Sequence, residues 1–252
     1  RDPLRAAAAL GGVTAVAGDF SRPESLAPAL EGADTAFLLP PTDPAQTGWE
    51  QSFAAAAKKA GVRHIVKLSV AGAAKDSPFR IGRWHHEGEE ALKGSGLAWT
   101  MLQPSFFHQN FLGNAATIKA QGAFYGAMGT GKVSMVDVRD IAAVSAAALT
   151  KPGHEGKTYV LATGAHTYAS AAEVFSKGLG RKVSYVDVGP EKARESMLSG
   201  GLPEWYADAL LELFAAVRAG EVGQISPDCE NILGRAPLSL GRWVADFRGS
   251  FE

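Results

Sequence analysis

The 252-residue chain has one cysteine, no long apolar run and almost no net charge. Each of these features excludes a class of protein. Its one cysteine has no partner for an internal disulfide and cannot form a cysteine-rich zinc site, which suits a reducing cytoplasm. No apolar run approaches the roughly 18–20 residues of a membrane-spanning helix. A net charge of −1 provides no electrostatic attraction to nucleic acid or to an anionic membrane. The composition predicts a cytoplasmic protein with neither as a partner.

What the chain does contain is a regular alternation of short apolar segments and amphipathic segments. Hydrophobic residues make up 46% of the chain and charged residues 20%, which is enough to bury a core. The expected strands are 13–17, 35–39, 64–70 and 97–102, and the expected helices are 2–10, 21–32, 44–60 and 81–93. Strands that alternate with helices predict an α/β fold with a doubly wound parallel sheet.

After residue 104 the alternation becomes less regular. We expect a helix at 106–119, an irregular glycine-rich stretch at 121–132, a helix at 138–149, a strand at 157–161, a helix at 170–179, an edge strand at 182–188, and helices at 191–198, 203–219 and 238–247. The pattern shows no long linker. It therefore predicts that the C-terminal part is a smaller, mainly helical cap on the sheet.

A glycine-rich segment from Gly126 to Lys132 matches the G-x-x-x-x-G-K pattern of a phosphate-binding loop. The next residue is Val133, where that motif needs a hydroxyl for magnesium. The following residues favour an extended strand, whereas a phosphate loop opens a helix. The pattern therefore favours an irregular loop or a hairpin.

Two histidine–glutamate pairs lie four residues apart within the expected helix 81–93: His85 with Glu89, and His86 with Glu90. Such pairs can hold a divalent metal, although the H-E-x-x-H zinc motif fails because Glu90 replaces its second histidine. We expect no metal site, with one pair facing a cleft and the other facing water.

Several polar and turn-forming residues follow the expected strands, where open α/β sheets bind their ligands. Asp19 follows the first strand, and it is either a helix-capping residue or a ligand contact. Further segments at this edge are 39–42, 69–72 and 104–107. Their expected convergence is more informative than any single residue.

Four segments resemble the NmrA-like branch of the atypical short-chain dehydrogenase/reductases, in particular its NAD(P)H:quinone and triphenylmethane-dye reductases. They are Val-Ala-Gly-Asp-Phe-Ser-Arg-Pro-Glu-Ser-Leu (16–26), Ala-Gly-Val-Arg-His-Ile-Val-Lys-Leu-Ser (60–69), Trp-His-His-Glu-Gly-Glu-Glu-Ala-Leu-Lys-Gly-Ser-Gly-Leu-Ala-Trp-Thr-Met-Leu-Gln-Pro (84–104) and Val-Asp-Val-Arg-Asp-Ile-Ala (136–142). The resemblance implies a Rossmann-like domain over 1–150 that binds NAD(P), and a substrate or cap region over 151–252.

The resemblance also bears on the start of the chain, Arg1-Asp2-Pro3, which lacks an initiator methionine. Family members begin with a strand, a glycine-rich turn, a helix and a second strand that commonly ends in a basic residue. By this comparison roughly forty residues precede Arg1 in the whole protein, including the pyrophosphate-binding turn.

The resemblance implies a set of cofactor contacts. Arg1 would pair with a ribose 2′-phosphate, which makes NADP(H) the preferred cofactor and NAD(H) the alternative. Asp19 and Phe20 would lie by the adenine. Leu39, Pro40 and Pro41 would follow the ribose and pyrophosphate, and Ser69, Val70 and Ala71 would approach the nicotinamide.

For the reacting end, the resemblance places His85 at the nicotinamide ribose as the catalytic candidate. Pro104 and Phe106 would lie along the nicotinamide. Phe107, Asn110 and Trp84 would face the substrate, although the three aromatic residues named here also suit an ordinary core.

The sequence departs from the classical enzymes of this group in two places. None of its five tyrosines belongs to a Tyr-x-x-x-Lys motif, so the usual tyrosine acid is absent, and Gln103 replaces a common arginine. A quinone needs no such acid, because its hydride adduct is a delocalised phenolate. We therefore expect an NADPH-dependent enzyme that transfers hydride to a small-molecule acceptor, a quinone or a similar conjugated compound.

Two alternatives stay open on the sequence alone. One is a non-catalytic NAD(P)(H) sensor, and the other is a biosynthetic reductase or isomerase that acts on a specific metabolite. A homodimer that pairs through the helices around 44–60 and 81–93 is also left open.

Overall fold

A computed structural model describes residues 12–252 of the chain. Its nine strands are β1 Thr35–Leu38, β2 His64–Leu68, β3 Ala98–Pro104, β4 Phe106–Phe107, β5 Ala123–Gly126, β6 Lys132–Val136, β7 Lys157–Leu161, β8 Gly164–Thr167 and β9 Ser184–Asp187. Four of them form a parallel sheet in the order β1-β2-β3-β7. The expected α/β class with a parallel sheet is confirmed.

Ten α-helices connect and cover the strands of this part of the chain. They are α1 Leu26–Ala29, α2 Gln46–Ala60, α3 Arg80–Lys93, α4 Ala115–Gln121, α5 Val138–Thr150, α6 Tyr168–Leu179, α7 Gly189–Ser199, α8 Glu204–Ala219, α9 Asp228–Leu233 and α10 Leu240–Asp246. Short 3-10 helices span Pro23–Ser25, His108–Asn114 and Arg248–Ser250. None of the helices in 12–252 is long and apolar enough to cross a bilayer.

The central strand β2 is buried along its whole length because helices cover both faces of the sheet. Ile65 packs in the cluster formed with α2, whereas Val66 and Leu68 pack in the cluster formed with α5. Successive side chains of a strand point to opposite faces, so Lys67 lies on the same face as Ile65, beneath α2 and α3. A charged residue is thereby placed inside the sheet.

Helix α2 ends where the sequence indicates, at Gly61, whose φ of 86° is a left-handed conformation. The amide of Gly61 donates back to the carbonyls of Ala57 and Lys58, which satisfies the last turn. The chain then enters β2, and this connection brings the start of α2 close to the carboxyl end of the sheet.

A second layer combines short strands with the C-terminal helices. It holds a three-stranded sheet, β4-β6-β8, and a two-stranded sheet, β5-β9. Its interior is an aromatic core, defined here by Phe111, Phe124, Phe175, Trp243 and Phe251. The cap is therefore helical with five short strands among the described residues.

The expectations were wrong in several local places. Residues 13–17 form no strand, and Val13 and Val16 are exposed. The expected helix 21–32 is a 3-10 turn followed by α1, because Pro23 and Pro28 lack the amide donors that a longer helix uses. The expected helix 2–10 lies outside the described residues.

The segment 106–119 departs most from its expected helix. Phe106 and Phe107 pair with Met135 and Val136 as the short parallel strand β4, and only the stretch after Asn114 is α-helical. The expected irregular stretch 121–132 contains β5, and β8 and α9 were not expected. The unexpected strands arise from pairings with distant segments, which override local preference.

The expected division at residue 150 stays a prediction. Strand β7 lies after this position and joins the four-stranded sheet. Phe124 of β5 and Val133 of β6 lie before it and pack in the second layer. The chain thus crosses between the two layers on both sides of residue 150.

Candidate active site at the carboxyl ends of the strands

Three of the expected segments meet at the carboxyl edge of the parallel sheet. Residues 39–41 follow β1, residues 69–71 follow β2, and residues 104–106 end and follow β3. The amide of Ser69 donates to the Leu102 carbonyl at 2.7 Å, and that of Ala71 donates to the Pro104 carbonyl at 2.9 Å. The segment after β2 therefore continues along β3 to form a common rim.

The rim presents both apolar and backbone surface. Leu39 is 55% exposed, Pro40 is buried, and Pro41 is exposed. Val70 and Ala71 are half-buried. This combination is suited to the sugar and ring surfaces of a nucleotide, which need shape and backbone polar groups more than charge.

Asp19 and Phe20 have defined structural roles. The Asp19 carboxylate accepts hydrogen bonds from the Ser21 amide at 3.0 Å and from the Ser21 hydroxyl at 2.7 Å, so it shapes the turn before Pro23. The half-buried Phe20 ring lies 6.3 Å from that of Trp49 and 6.1 Å from that of Phe53, measured between centroids. A contact of either residue with adenine stays a prediction. Arg1 lies outside the described residues.

Helix α3 directs one histidine–glutamate pair inward. His85 and Glu89 are buried on the face toward the sheet, whereas His86 is half-buried and Glu90 is exposed. Residues four apart lie on one helix face, which explains why the pairs separate in this way. Within residues 12–252 no group of three or more His, Cys, Asp or Glu side chains is arranged to hold a metal.

The inward face of α3 meets polar side chains from three other elements. We call these residues the buried polar cluster: Gln46, Glu50, Lys67, Ser69, His85, Glu89 and Gln103. Lys67 Nζ lies 3.0 Å from Glu50 Oε1 and 3.1 Å from His85 Nδ1. Gln46 Nε2 lies 3.0 Å from Glu50 Oε1 and 3.2 Å from His85 Nδ1. Helix α2, strand β2 and helix α3 are thereby joined under the rim.

The other half of the buried polar cluster is centred on Glu89. Its Oε1 accepts a hydrogen bond from the Ser69 hydroxyl at 2.5 Å and another from Gln103 Nε2 at 2.8 Å. Gln103, which departs from the family pattern, thus pairs with the helix that carries His85. The Ser69 side chain is bound by Glu89 and its amide by the Leu102 carbonyl, so this residue is fixed at the rim.

Burial determines the charge states in this cluster. The pKa of His85 is lowered to about 3, first by burial and then by the neighbouring Lys67 cation, so the ring is neutral near pH 7. Burial also lowers the pKa of Lys67 and raises that of Glu50, and their ion pair opposes both changes. A buried pair at this distance retains its charges because each is the counterion of the other.

Trp84 lies on the outer side of α3, next to a cavity. Its ring is half-buried and lies 6.0 Å from the Trp205 ring of the cap. The cavity has a volume of about 340 Å³ and is lined by Lys75, Arg80, Arg83, Trp84, His86 and Glu87. Its size matches a small aromatic ligand, since ligand pockets begin at about 300 Å³.

The remaining expected substrate residues are divided between the two layers. Phe106 is half-buried and packs against the aromatic core, whereas Phe107 packs against the cluster that contains Val66. Asn110 is exposed on the 3-10 helix. Their contact with a substrate stays a prediction.

The glycine-rich segment is a loop between β5 and β6, as expected, and no helix follows it. A Cβ on Gly131 would lie 2.0 Å from the Val217 carbonyl oxygen, so this glycine allows close packing of the loop against the end of α8. The segment has a packing role that requires no phosphate.

Five members of the buried polar cluster were not predicted as site residues: Gln46, Glu50, Lys67, Glu89 and Gln103. The sequence carries a signal for Lys67, a charged residue within an otherwise apolar strand. Gln46 and Glu50 lie four residues apart in an alanine-rich helix, which places them on one face. What the sequence does not show is that these two faces meet.

Comparisons with known proteins are consistent with this geometry. A model described as the NmrA-like family matches residues 2–235. The NAD(P)H azoreductase of Xenophilus azovorans is 43% identical over 241 residues, which are 95% of this chain and 84% of that protein.

Two solved structures share the fold over nearly the whole chain. The NADPH-dependent quinone oxidoreductase from Escherichia coli, complexed with NADPH, has a TM-score of 0.87 and 29% identity, and the match covers 98% of this chain and 88% of that one. The Citrobacter sp. triphenylmethane reductase, complexed with NADP(H), has a TM-score of 0.85 and 27% identity, and the match covers 96% and 87%.

Proposed function

Because the chain belongs to the NmrA-like family, we propose that it is an NADPH-dependent oxidoreductase that transfers hydride to a quinone or a similarly electron-poor conjugated acceptor. NADH is the alternative donor. Its relatives are named for azo, quinone and triphenylmethane reduction. These acceptors share an extended conjugated system that stabilises the charge left by an added hydride.

One observation carries the proposal: three strand ends converge at a rim, with His85 held beneath them. Residues 39–41 are suited to hold the ribose and pyrophosphate, and residues 69–71 together with Pro104 and Phe106 to hold the nicotinamide. His85 is suited to contact the nicotinamide ribose. When bound there, NADPH supplies the hydride.

The protein's own contribution is binding, orientation and exclusion of water. In the net reaction one hydride and one proton convert a quinone to a hydroquinone, and NADPH becomes NADP⁺. No side chain with a tyrosine-type acid role is required, because water can protonate the phenolate. Holding donor and acceptor in contact is therefore the main catalytic effect.

We place the acceptor on the side of α3 that carries Trp84. The cavity of about 340 Å³ beside it combines an indole face with the cations Lys75 and Arg83. A flat ring can stack on the indole, and the cations favour an acceptor that gains negative charge. Phe107 and Asn110 are not in the lining of this cavity, and a contact of either with the acceptor is a separate proposal.

The test is NADPH oxidation by purified protein in the presence of a panel of quinones and azo dyes. We expect turnover with NADPH that exceeds turnover with NADH. The variant Trp84→Ala should raise KM for the acceptor by about tenfold while changing KM for NADPH little. Trp99→Phe, at the opposite end of β3, is the matched control.

Binding of NADPH without any turnover would reject the reductase proposal in favour of a dinucleotide sensor. A homodimer that pairs through α2 and α3 stays a separate proposal. Sedimentation equilibrium tests it, and a single species of monomer mass across concentrations would reject it.

A further inference from the structure

The ring nitrogen His85 Nδ1 is in contact with two groups that can only donate. The Lys67 ammonium has three N–H donors and no acceptor, and it lies 3.1 Å from Nδ1. Gln46 Nε2 lies 3.2 Å from the same atom. A ring nitrogen between two donors must offer its lone pair.

The orientation of the Gln46 amide is decided by its other contact. Gln46 Nε2 also lies 3.0 Å from Glu50 Oε1, a carboxylate oxygen that only accepts. If the amide were turned round, its oxygen would face that carboxylate and lose the hydrogen bond. The Glu50 carboxylate therefore fixes the amide NH₂ group toward both itself and His85.

Glu50 also fixes the second donor. Its Oε1 pairs with Lys67 Nζ at 3.0 Å, and both side chains are almost completely buried. The charged groups around this site are Lys67 of β2, Glu50 of α2 and Glu89 of α3. Because Glu50 balances Lys67, the ammonium keeps the protons that it donates.

His85 Nε2, the other ring nitrogen, forms no hydrogen bond within residues 12–252 and is not among the buried polar atoms without a partner there. The ring thus has one enclosed end and one open end. We infer that Lys67 and Gln46 are positioning residues that hold His85 as the neutral tautomer with its proton on Nε2, so that the open end always donates.

The natural acceptor for this N–H is a ribose oxygen of the bound dinucleotide, a step that rests on the proposed function. The same arrangement makes His85 a poor proton source, because Nδ1 does not take up a proton while both of its neighbours, the Lys67 ammonium and the Gln46 NH₂ group, are donors. His85 would therefore orient the cofactor, and the acceptor would take its proton from water.

The experiment is NMR of the full chain labelled with ¹⁵N in its histidine rings. Long-range ¹H–¹⁵N spectra distinguish protonated from unprotonated ring nitrogens, and His85→Gln assigns the His85 signals among the six histidines. We expect a protonated Nε2 and an unprotonated Nδ1 from pH 8 to pH 5.5. A proton on Nδ1 at pH 7, in the neutral Nδ1 tautomer or in the imidazolium, would overturn the inference.

A reversal variant sharpens this test. Gln46→Glu replaces a donor by an acceptor with almost the same shape, so we expect a proton to appear on Nδ1. Gln103→Glu makes the same change beside Glu89, away from His85, and should leave the His85 pattern unchanged. An unchanged pattern in folded Gln46→Glu would contradict the inference, and the wild-type spectrum decides the matter if that variant does not fold.

Calorimetric titration with NADPH separates this inference from the proposed function. A wild-type protein with the Nε2 proton but without NADPH affinity would reject the proposed function and leave the tautomer assignment standing. NADPH binding by a protein with the Nδ1 proton would reject the tautomer and leave the function standing. In Gln46→Glu we expect NADPH affinity to fall by about tenfold, the loss of one hydrogen bond.

Discussion

The buried polar cluster and the aromatic core are both shielded from water, and they are stabilised by different physics. In the aromatic core, Phe175 lies 5.1 Å from Phe111 and 5.1 Å from Phe251, between ring centroids, and all of these contacts are apolar. In the polar cluster, the buried Lys67 and Glu50 have lost their hydration and are stabilised by their ion pair. Equal burial therefore does not mean an equal loss of stability on mutation. Truncating apolar side chains gives losses that add up, whereas removing a polar side chain costs an amount that depends on whether its former partner stays buried without a hydrogen bond or counterion.

The largest effect is expected in the aromatic core. Phe175→Ala should lower the free energy of unfolding by about 3–5 kcal/mol, because it removes a fully buried ring and leaves a cavity. Urea denaturation monitored by circular dichroism measures this loss. Adding a second core truncation, Phe251→Leu, should not restore stability, and a double variant as stable as wild type would contradict this description of the core.

A comparable loss should follow from breaking the ion pair on one side only. Lys67→Met leaves the Glu50 carboxylate buried without its cation, which costs about 3 kcal/mol or more. The double variant Lys67→Met with Glu50→Gln should recover most of this, because no uncompensated charge remains. Denaturation of wild type, Lys67→Met, Glu50→Gln and the double variant in parallel measures the coupling. Strictly additive losses would show that the polar cluster responds to mutation in the same way as the aromatic core.

The contact between α2 and α3 gives the next prediction. A Cβ on Gly88 would lie 1.4 Å from Glu50 Oε2, so Gly88→Ala forces the carboxylate or the helix to move. We expect a loss of about 2 kcal/mol in unfolding free energy. Gly48→Ala on the exposed side of α2, where a Cβ meets nothing within 4 Å, is the control and should be neutral or stabilising. Equal effects at both positions would exclude the steric explanation.

Each region contains a buried histidine that should make the protein less stable in acid. Burial lowers the pKa of His85 to about 3 and that of His108, beside the Trp243 ring, to about 4, compared with 6.5 when unfolded. Between pH 6.5 and about 4 the unfolded chain binds more protons than the folded one, so stability falls as the pH falls. Each histidine contributes about 1.4 kcal/mol per pH unit at most. Unfolding curves from pH 7 to 4.5 measure the slope.

The variant His108→Gln isolates one of the two contributions to this slope. Its stability should depend less steeply on pH than that of wild type, while His85 still contributes. The difference between the two proteins cancels other groups, including Glu50, whose raised pKa acts in the opposite direction. Identical slopes would show that His108 takes up protons equally in both states.

The smallest effect is expected at an ion pair that water surrounds. Arg63 and Asp34 lie 3.0 Å apart with side chains 79% and 75% exposed. Arg63→Ala should change the unfolding free energy by at most about 0.5 kcal/mol, in contrast to Lys67→Met. The same denaturation assay applies, and a loss as large as that of Lys67→Met would remove burial as the reason for the difference.

The sequence predicted the parts of the fold that depend on local order. Helix α3 was expected at 81–93 and spans Arg80–Lys93, because apolar periodicity and helix ends are local features. The family resemblance, now confirmed by the match over residues 2–235, rested on local motifs as well. Strand β4 could not be predicted in this way, since it exists only through its pairing with Met135 and Val136.

The candidate site shows the same limit. His85 was proposed as a site residue from the family resemblance, and helical spacing explains why His85 and Glu89 share the inward face. The partners of His85 come from α2 and β2, and donor and acceptor roles depend on which atoms meet in space. Lys67 was visible as a charge in an apolar strand, but its pairing with Glu50 required the packed structure.

The first turn of α3 is anchored in the cap, and this affects how the protein can be re-engineered. Glu212 of α8 accepts hydrogen bonds from the Arg80 amide at 2.7 Å and from Arg83 Nη2 at 3.2 Å. A chimera that exchanges 204–219 for the corresponding helix of a relative would also exchange this anchor. The sequence of α8 and the setting of the helix that carries His85 are therefore not independent, and a graft has to carry an acidic residue at position 212.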